Sequence, residues 1–267
     1  LDKAYLTAIW LETLFYGVNA TLFCGYLFML RYKHSRTLAR PIVIVGIAMF
    51  LLSTVHVSLG FYRLIEGFIY LRNEPGGPAA FFSDVSLPPN VAKVIFHTVN
   101  CILGDSIVVW RCYHVWGGDW KICVLPIALI LASAACGFGQ GIVFAQAKTT
   151  HSAFNPVLER WNGSLFSLSL ATNVVCTVLV AGRIWYLTKD LAPVVDVVSF
   201  RSRRILALVV ESAMVYSAAL AIEITLYFVG SNAFYIVYDP IGQLTAIVPT
   251  SIIVITSLGM TANDLQS

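Results

Sequence analysis

Charge is the scarcest property of this sequence. Aspartate, glutamate, lysine and arginine supply 12% of its 267 residues, against about 25% in a soluble domain. Hydrophobic residues supply 58%, and the mean hydropathy is +0.79. A soluble chain of this size would lack the polar surface that keeps a protein dispersed, so lipid is the expected solvent. The formal net charge of +3 is small and carries no nucleic-acid signal. Cysteine pairing motifs are missing as well. Cys24, Cys101, Cys112, Cys123, Cys136 and Cys176 all fall in apolar stretches, and no two form a CxxC. That argues against a disulfide framework and a zinc knuckle, and leaves small apolar packing residues. The few residues before the first apolar run leave no room for a signal peptide there.

Long apolar runs are what the sequence has. A span needs about 20 mainly apolar residues. Seven runs meet that length, at residues 7–30, 41–71, 91–116, 122–144, 158–187, 205–229 and 241–260. The expected fold is all-α: one seven-transmembrane helix bundle occupying residues 1–267. Lys and Arg placement gives the orientation. Arg31, Lys33, Arg36, Arg40, Arg111, Lys121, Arg183, Lys189, Arg201, Arg203 and Arg204 fall on one side, which is 11. Lys3, Arg63, Arg72, Lys93, Lys148 and Arg160 fall on the other, which is 6. The richer side is expected to be cytosolic and the N-terminus outside, in the plasma membrane or an endomembrane. The sequon Asn162-Gly163-Ser164 sits too close to the fifth run for its use to be expected, and Asn19-Ala20-Thr21 falls inside the first. The longest outer loop, Arg72 to Asn90, places Phe81-Phe82 among glycines and prolines. Two readings stay open: a lid folded over the outer mouth, or a surface turn with its rings among lipid headgroups.

Several pieces carry a family likeness. They are Leu11-Glu12-Thr13-Leu14 with Tyr16-Gly17, Gly60-Phe61-Tyr62-Arg63, and Phe82-Ser83-Asp84. Gly104-Asp105, Val109-Trp110-Arg111-Cys112-Tyr113, Cys136-Gly137 and Glu211-Ser212 with Tyr216-Ser217 complete the set. The chain resembles a basidiomycete (mushroom) family of seven-span membrane proteins of unassigned function, a likeness that implies the fold and topology but no activity. Likeness to other seven-span proteins stops at topology. The last run has no lysine for a retinal Schiff base and no histidine for a zinc hydrolase, and Trp110-Arg111-Cys112 stands where rhodopsin-class receptors carry Asp-Arg-Tyr.

Ionisable groups in hydrocarbon cost a few kcal/mol each on insertion scales, so those present need an account. Ser53, His56, Gly60, Arg63 and Gly67 follow steps of three and four, one stripe along one helix face. Lys93, His97, Asn100, Gly104 and Arg111 form a second stripe, with Asp105 beside it. Two polar stripes containing glycine predict two closely packed helices with polar groups turned inward. Depth along the runs, at about 1.5 Å per residue, sorts these groups into two layers. The outer layer holds Glu12, His56, Arg63, His97, Asn100, Glu223 and Gln243, with Glu66 further out. It reads either as a self-satisfied wet rim or as a pocket for a small, partly apolar, sterol-like molecule. His56 and His97 with Glu12 or Glu223 give a weak metal pattern, and no metal or cofactor is expected. The inner layer holds Asp105, Arg111, Arg183 and Glu211. It reads either as a structural ion-pair network or as a lock that breaks when helices shift. Gly137, Gly139 and Gly141 predict close internal packing. Asn173 predicts an interhelical hydrogen bond, and Pro249 a kink.

The expected function is a receptor-like membrane protein with an outer-half helical pocket. The alternatives are an intramembrane acid–base enzyme acting on a lipid or terpenoid through Glu12, Glu66, His56 and His97, and a proton-linked transporter through Asp105 and Glu211. Expected partners are membrane lipid, a small apolar ligand and a cytosolic partner or anionic lipid at the basic Arg201–Arg204 loop.

Overall fold

Seven long helices dominate the computed structural model, which describes residues 1–32, 40–146, 156–191 and 196–264 and contains no strand among them. They are α1 (Asp2–Tyr32), α2 (Arg40–Ile65), α4 (Pro88–Val115), α5 (Trp120–Gln146), α6 (Pro156–Leu191), α7 (Asp196–Phe228) and α8 (Ala233–Asp264), with the short α3 (Gly77–Ser83) after α2. Each predicted apolar run falls on one long helix. Among the described residues, five helical stretches are long and apolar enough to cross a membrane: Pro41–Tyr70, Pro88–Val115, Trp120–Gln146, Val157–Leu187 and Val210–Phe228.

The distribution of side chains fits that solvent. Trp10, Ile44, Leu131, Val178 and Met214 are each at least 64% exposed, whereas Glu12, Asn19, His56, Arg63, Lys93, His97 and Glu223 are at most 4% exposed. An apolar exterior over a polar interior inverts the arrangement of a soluble protein. The chain is a helical membrane protein on this evidence.

The helices α1, α2, α4, α5, α6, α7 and α8 close into a ring in which α4 also touches α6 and α8. It therefore runs through the middle. Half of its apolar window is buried, against 22–39% for the other four spanning candidates. Glycines let its neighbours approach. A Cβ on Gly137 of α5 would stand 2.4 Å from Thr98 Cγ2, and one on Gly141 2.5 Å from Ile95 Cδ1. Gly139 faces Trp161 of α6 instead. The G-x-x-x-G stripe thus packs α5 internally.

The chain between α2 and α4 is more ordered than a loop. α2 ends in a π-helical turn, Glu66–Tyr70, closed by Leu71 N–H donating to the Glu66 carbonyl at 2.9 Å. Gly76, at φ 86°, then turns the chain into α3, with Pro78 in its first turn. Phe82 of α3 is 2% exposed and stacks on Tyr5 at 4.6 Å between centroids. Gly67 has no side chain because Phe82 lies where its Cβ would be, at 2.9 Å. The segment folds back over the end of the bundle at which α1 begins. Of its two phenylalanines, Phe82 is core and Phe81 is half-buried.

The basic Arg201–Arg204 segment lies on α7, which begins at Asp196, and is not a loop. Lys33, Arg36 and Lys148 lie outside the described residues.

Candidate functional site

A buried polar network occupies the α1-start half of the bundle. Glu12 of α1 is its hub. Its Oε1 accepts from His56 Nδ1 of α2 at 2.5 Å and from Gln243 Nε2 of α8 at 3.4 Å. Its Oε2 faces Lys93 Nζ of α4 at 3.4 Å, and Lys93 also pairs with Asp239 of α8 at 2.8 Å. Gln243 Oε1 in turn accepts from Asn19 of α1 at 3.3 Å. Asn100 donates to the Gly242 carbonyl at 2.9 Å and stands 3.5 Å from the Ser53 hydroxyl. Four helices are thereby tied together by hydrogen bonds to buried charge, the strong kind. Gly60 makes this possible: a Cβ there would stand 3.2 Å from Lys93 Nζ and 2.6 Å from Ile9 Cδ1.

The predicted outer residues divide accordingly. Glu12, His56 and Gln243 meet directly. His97 lies beside them, its ring 6.0 Å from His56 and 4.7 Å from Tyr238, with Nε2 3.5 Å from Cys101 Sγ. Asn100 binds the α8 backbone. Arg63 sits in an adjoining chamber. Glu223 is fully buried, and neither of its oxygens has a hydrogen-bond partner among the described residues. Glu66 is half-buried in the π turn and enters no ion pair among the described residues. No three His, Cys, Asp or Glu side chains among the described residues converge as a metal set.

Sequence reasoning missed three members. Asp239 precedes Pro240 just before the last apolar run, and so reads as a loop residue. Its spacing of four from Gln243 was the available signal. Asn19 reads in the sequence as part of a sequon inside the first run, although it follows Glu12 by seven residues on the same helix face. Lys93 lies on the polar stripe, but its place near the start of the third run reads as a flanking charge.

The adjoining chamber is a cavity of about 40 Å³, where a single water needs roughly 10–15 Å³. Arg63, Asn90, Lys93, Gln140, Asn162, Tyr238 and Asp239 supply its polar lining, and Tyr5, Phe144 and Phe234 part of its apolar wall. Arg63 Nη1 donates to Asn90 Oδ1 at 2.6 Å, and its guanidinium carbon lies 5.4–6.0 Å from the rings of Tyr5, Phe81 and Phe82. Those aromatic contacts favour a cation. Asn162 lies inside, 2% exposed, donating to Tyr227 Oη at 3.0 Å. A glycan could not be attached to it in this fold.

The opposite end departs from expectation. Asp105 accepts from Ser169 Oγ at 2.9 Å, Arg111 donates to the Pro249 carbonyl at 3.1 Å, and Arg183 lies over the Trp116 ring at 5.1 Å. Glu211 is exposed. No ion pair joins these four among the described residues, so the expected inner network is not formed. The physical reason is helix phase. Glu211 points out of the bundle, while Asp105 on central α4 finds a hydroxyl on α6. A larger cavity of about 270 Å³ lies here, walled mainly by Val108, Trp110, Cys176, Val180, Ile184 and Val248. Asn173 forms its expected interhelical bonds, to the Ala213 carbonyl at 3.2 Å and Ser217 Oγ at 2.8 Å.

Fold and site together define a helical membrane protein with a charged, hydrogen-bonded interior at one end and a short helix folded across it. Comparison with family models, curated proteins and solved structures gives no match.

Proposed function

We propose that this chain is a receptor-like membrane protein of the mushroom seven-span kind, with seven crossings and its N-terminus outside. In this reading it takes a small, partly apolar molecule by its polar end into the chamber under α3. One observation carries the reading. Four residues lining the chamber hold five buried polar atoms with no hydrogen-bond partner among the described residues: Arg63 Nε and Nη2, Gln140 Oε1, Asn162 Oδ1 and Tyr238 Oη. An unsatisfied buried group costs about 1–3 kcal/mol, so such a gathering calls for a polar occupant. The chamber's 40 Å³ is far below the roughly 300 Å³ of a site that encloses a whole drug-sized ligand. Only a head group enters with α3 in place, and anything larger requires α3 to move.

Thermal unfolding in detergent against a panel of small amphiphiles tests the proposal, because a ligand that binds the folded state raises Tm. The expected result is stabilisation by one chemical class, weakened in Asn162→Leu. A flat response across the panel, in both the wild type and Phe82→Ala, would overturn it. The contact between His56 and Glu12 also supports the enzyme reading, since an imidazole beside a carboxylate is an acid–base pair. Glu12 is already engaged by Lys93 and Gln243, which favours a structural role. An unchanged lipid and terpenoid profile on expression of folded protein would remove that alternative.

A further inference from the structure

Cations and anions in the buried network are unequally partnered. Lys93 has two carboxylates, Asp239 at 2.8 Å and Glu12 at 3.4 Å. Arg63, one α2 helix turn beyond Gly60 and 3% exposed, ion-pairs with none among the described residues. Among the described residues Arg63 donates through Nη1, and the accepting amide is fixed: Asn90 Nδ2 donates to the Val85 carbonyl at 2.8 Å, which turns Oδ1 toward the guanidinium. Nε and Nη2 are left over, both buried and both without a hydrogen-bond partner among the described residues. These two N–H groups share one edge of the guanidinium plane, where parallel donors match the two oxygens of a carboxylate. A buried guanidinium with an unused fork is costly unless an anion meets it.

We infer that the chamber recognises a carboxylate, bound bidentately at Nε and Nη2 of Arg63. This inference rests on the ligand-binding reading above and names the ligand's head group. Phe81 and Phe82 belong to α3, so the lid itself builds part of the aromatic box around that guanidinium. Asn162 adds an acceptor. Its Nδ2 is committed to Tyr227, so Oδ1 stays available to a hydroxyl or amine on the same ligand. The ligand class is therefore a small monocarboxylic acid whose apolar part trails toward α3.

The test uses the purified full chain in detergent at constant ionic strength, with acetate, butyrate and hexanoate each set against its neutral amide, and with inorganic phosphate alongside. A carboxylate is expected to raise Tm by a few degrees while its amide and phosphate do not. Arg63→Lys keeps the charge but loses the fork, and should keep only a small part of the shift. Arg63→Gln should lose it. Should Arg63→Gln fail to fold, the acid–amide comparison in the wild type decides alone. Equal shifts from acid and amide, from carboxylate and phosphate, or from wild type and Arg63→Gln would each overturn the inference. Failure of every carboxylate while other amphiphiles stabilise sinks the carboxylate and leaves the binding site standing. Failure of every compound sinks both.

Discussion

Two glutamates show how partners, not burial, decide what a charged side chain contributes. Glu12 and Glu223 are both fully buried. Glu12 meets His56, Lys93 and Gln243, whereas Glu223 has no partner for either oxygen among the described residues. Removing one member of a buried, satisfied set leaves its partners uncompensated and costs about 3–5 kcal/mol. A buried carboxylate with no partner gains nothing from its charge. Glu12→Gln is therefore expected to lower the unfolding temperature sharply, while Glu223→Gln leaves it unchanged or raises it. Thermal unfolding of the two variants side by side checks this, and equal losses would contradict it. The same logic ranks Lys93 and Asp239. Lys93→Met strands Asp239 and takes from Glu12 its lysine, leaving it His56 and Gln243, whereas Asp239→Asn leaves Lys93 still paired with Glu12. The lysine variant should be the less stable. Glu211, exposed and outside the network, should tolerate Gln within about 0.5 kcal/mol.

Among the elements, α3 and the α4–α5 seam differ in what holds them. α3 is only seven residues long, too short to be stable alone. Phe82, packed on Tyr5 and on Phe68 at 5.4 Å, is what fixes it. Phe82→Ala is thus expected to release α3 locally. Hydrogen exchange should speed up across residues 76–84 while α4 amides stay protected, and exchange unchanged there would contradict the lid assignment. The α4–α5 seam is closely packed on both sides. Thr98, which is completely buried, stands where a Gly137 side chain would go, so Gly137→Ala should cost about 1–3 kcal/mol through overpacking. Gly17→Ala, with nothing within 4 Å of its Cβ, should cost nothing, and the two melting curves compare them directly. These elements also mark what a sequence discloses. Long apolar runs expose long helices because lipid admits few other residues. The steps of three and four from Ser53 to Gly67 and from Lys93 to Gly104 expose two inward faces. α3 was illegible because its glycines and prolines read as a loop, and its order comes from a ring contact with residue 5. The inner residues misled for a related reason. Depth can be counted from a run's edge, but whether Glu211 and Asp105 point toward each other depends on the rotation of α7 against α4.

At the scale of the whole molecule the open quantity is the number of crossings. Among the described residues five stretches meet the length and hydropathy of a span. α1 and α8 bring Glu12, Asn19 and Gln243, which bind one another across their interface, and Asp239, which pairs with Lys93 of α4. A helix can carry such residues through hydrocarbon when they face a partner and its other side is apolar. Trp10, Leu14 and Val18 of α1 are each at least 45% exposed, which gives that helix its lipid-facing side. The seven crossings proposed above make a sharp statement about sidedness. In that reading the α2–α3 turn at Asn73 and the α7–α8 turn at Ser231 share the membrane face of the N-terminus, and the α4–α5 turn at Gly117 lies on the other. Single cysteines at these three positions, in a chain whose six native cysteines are replaced, can be probed in intact cells with a membrane-impermeant thiol reagent. Asn73→Cys and Ser231→Cys should label from outside, and Gly117→Cys only after permeabilisation. If α1 failed to cross, the N-terminus would lie on the same face as Gly117, and a tag placed before Leu1 would be shielded in intact cells. If α8 failed to cross, Ser231 would still label, but a tag after Ser267 would label with it. The same experiment bears on the chamber, because α3 and Arg63 lie on the Asn73 face, and a ligand arriving from outside requires that face to be the accessible one.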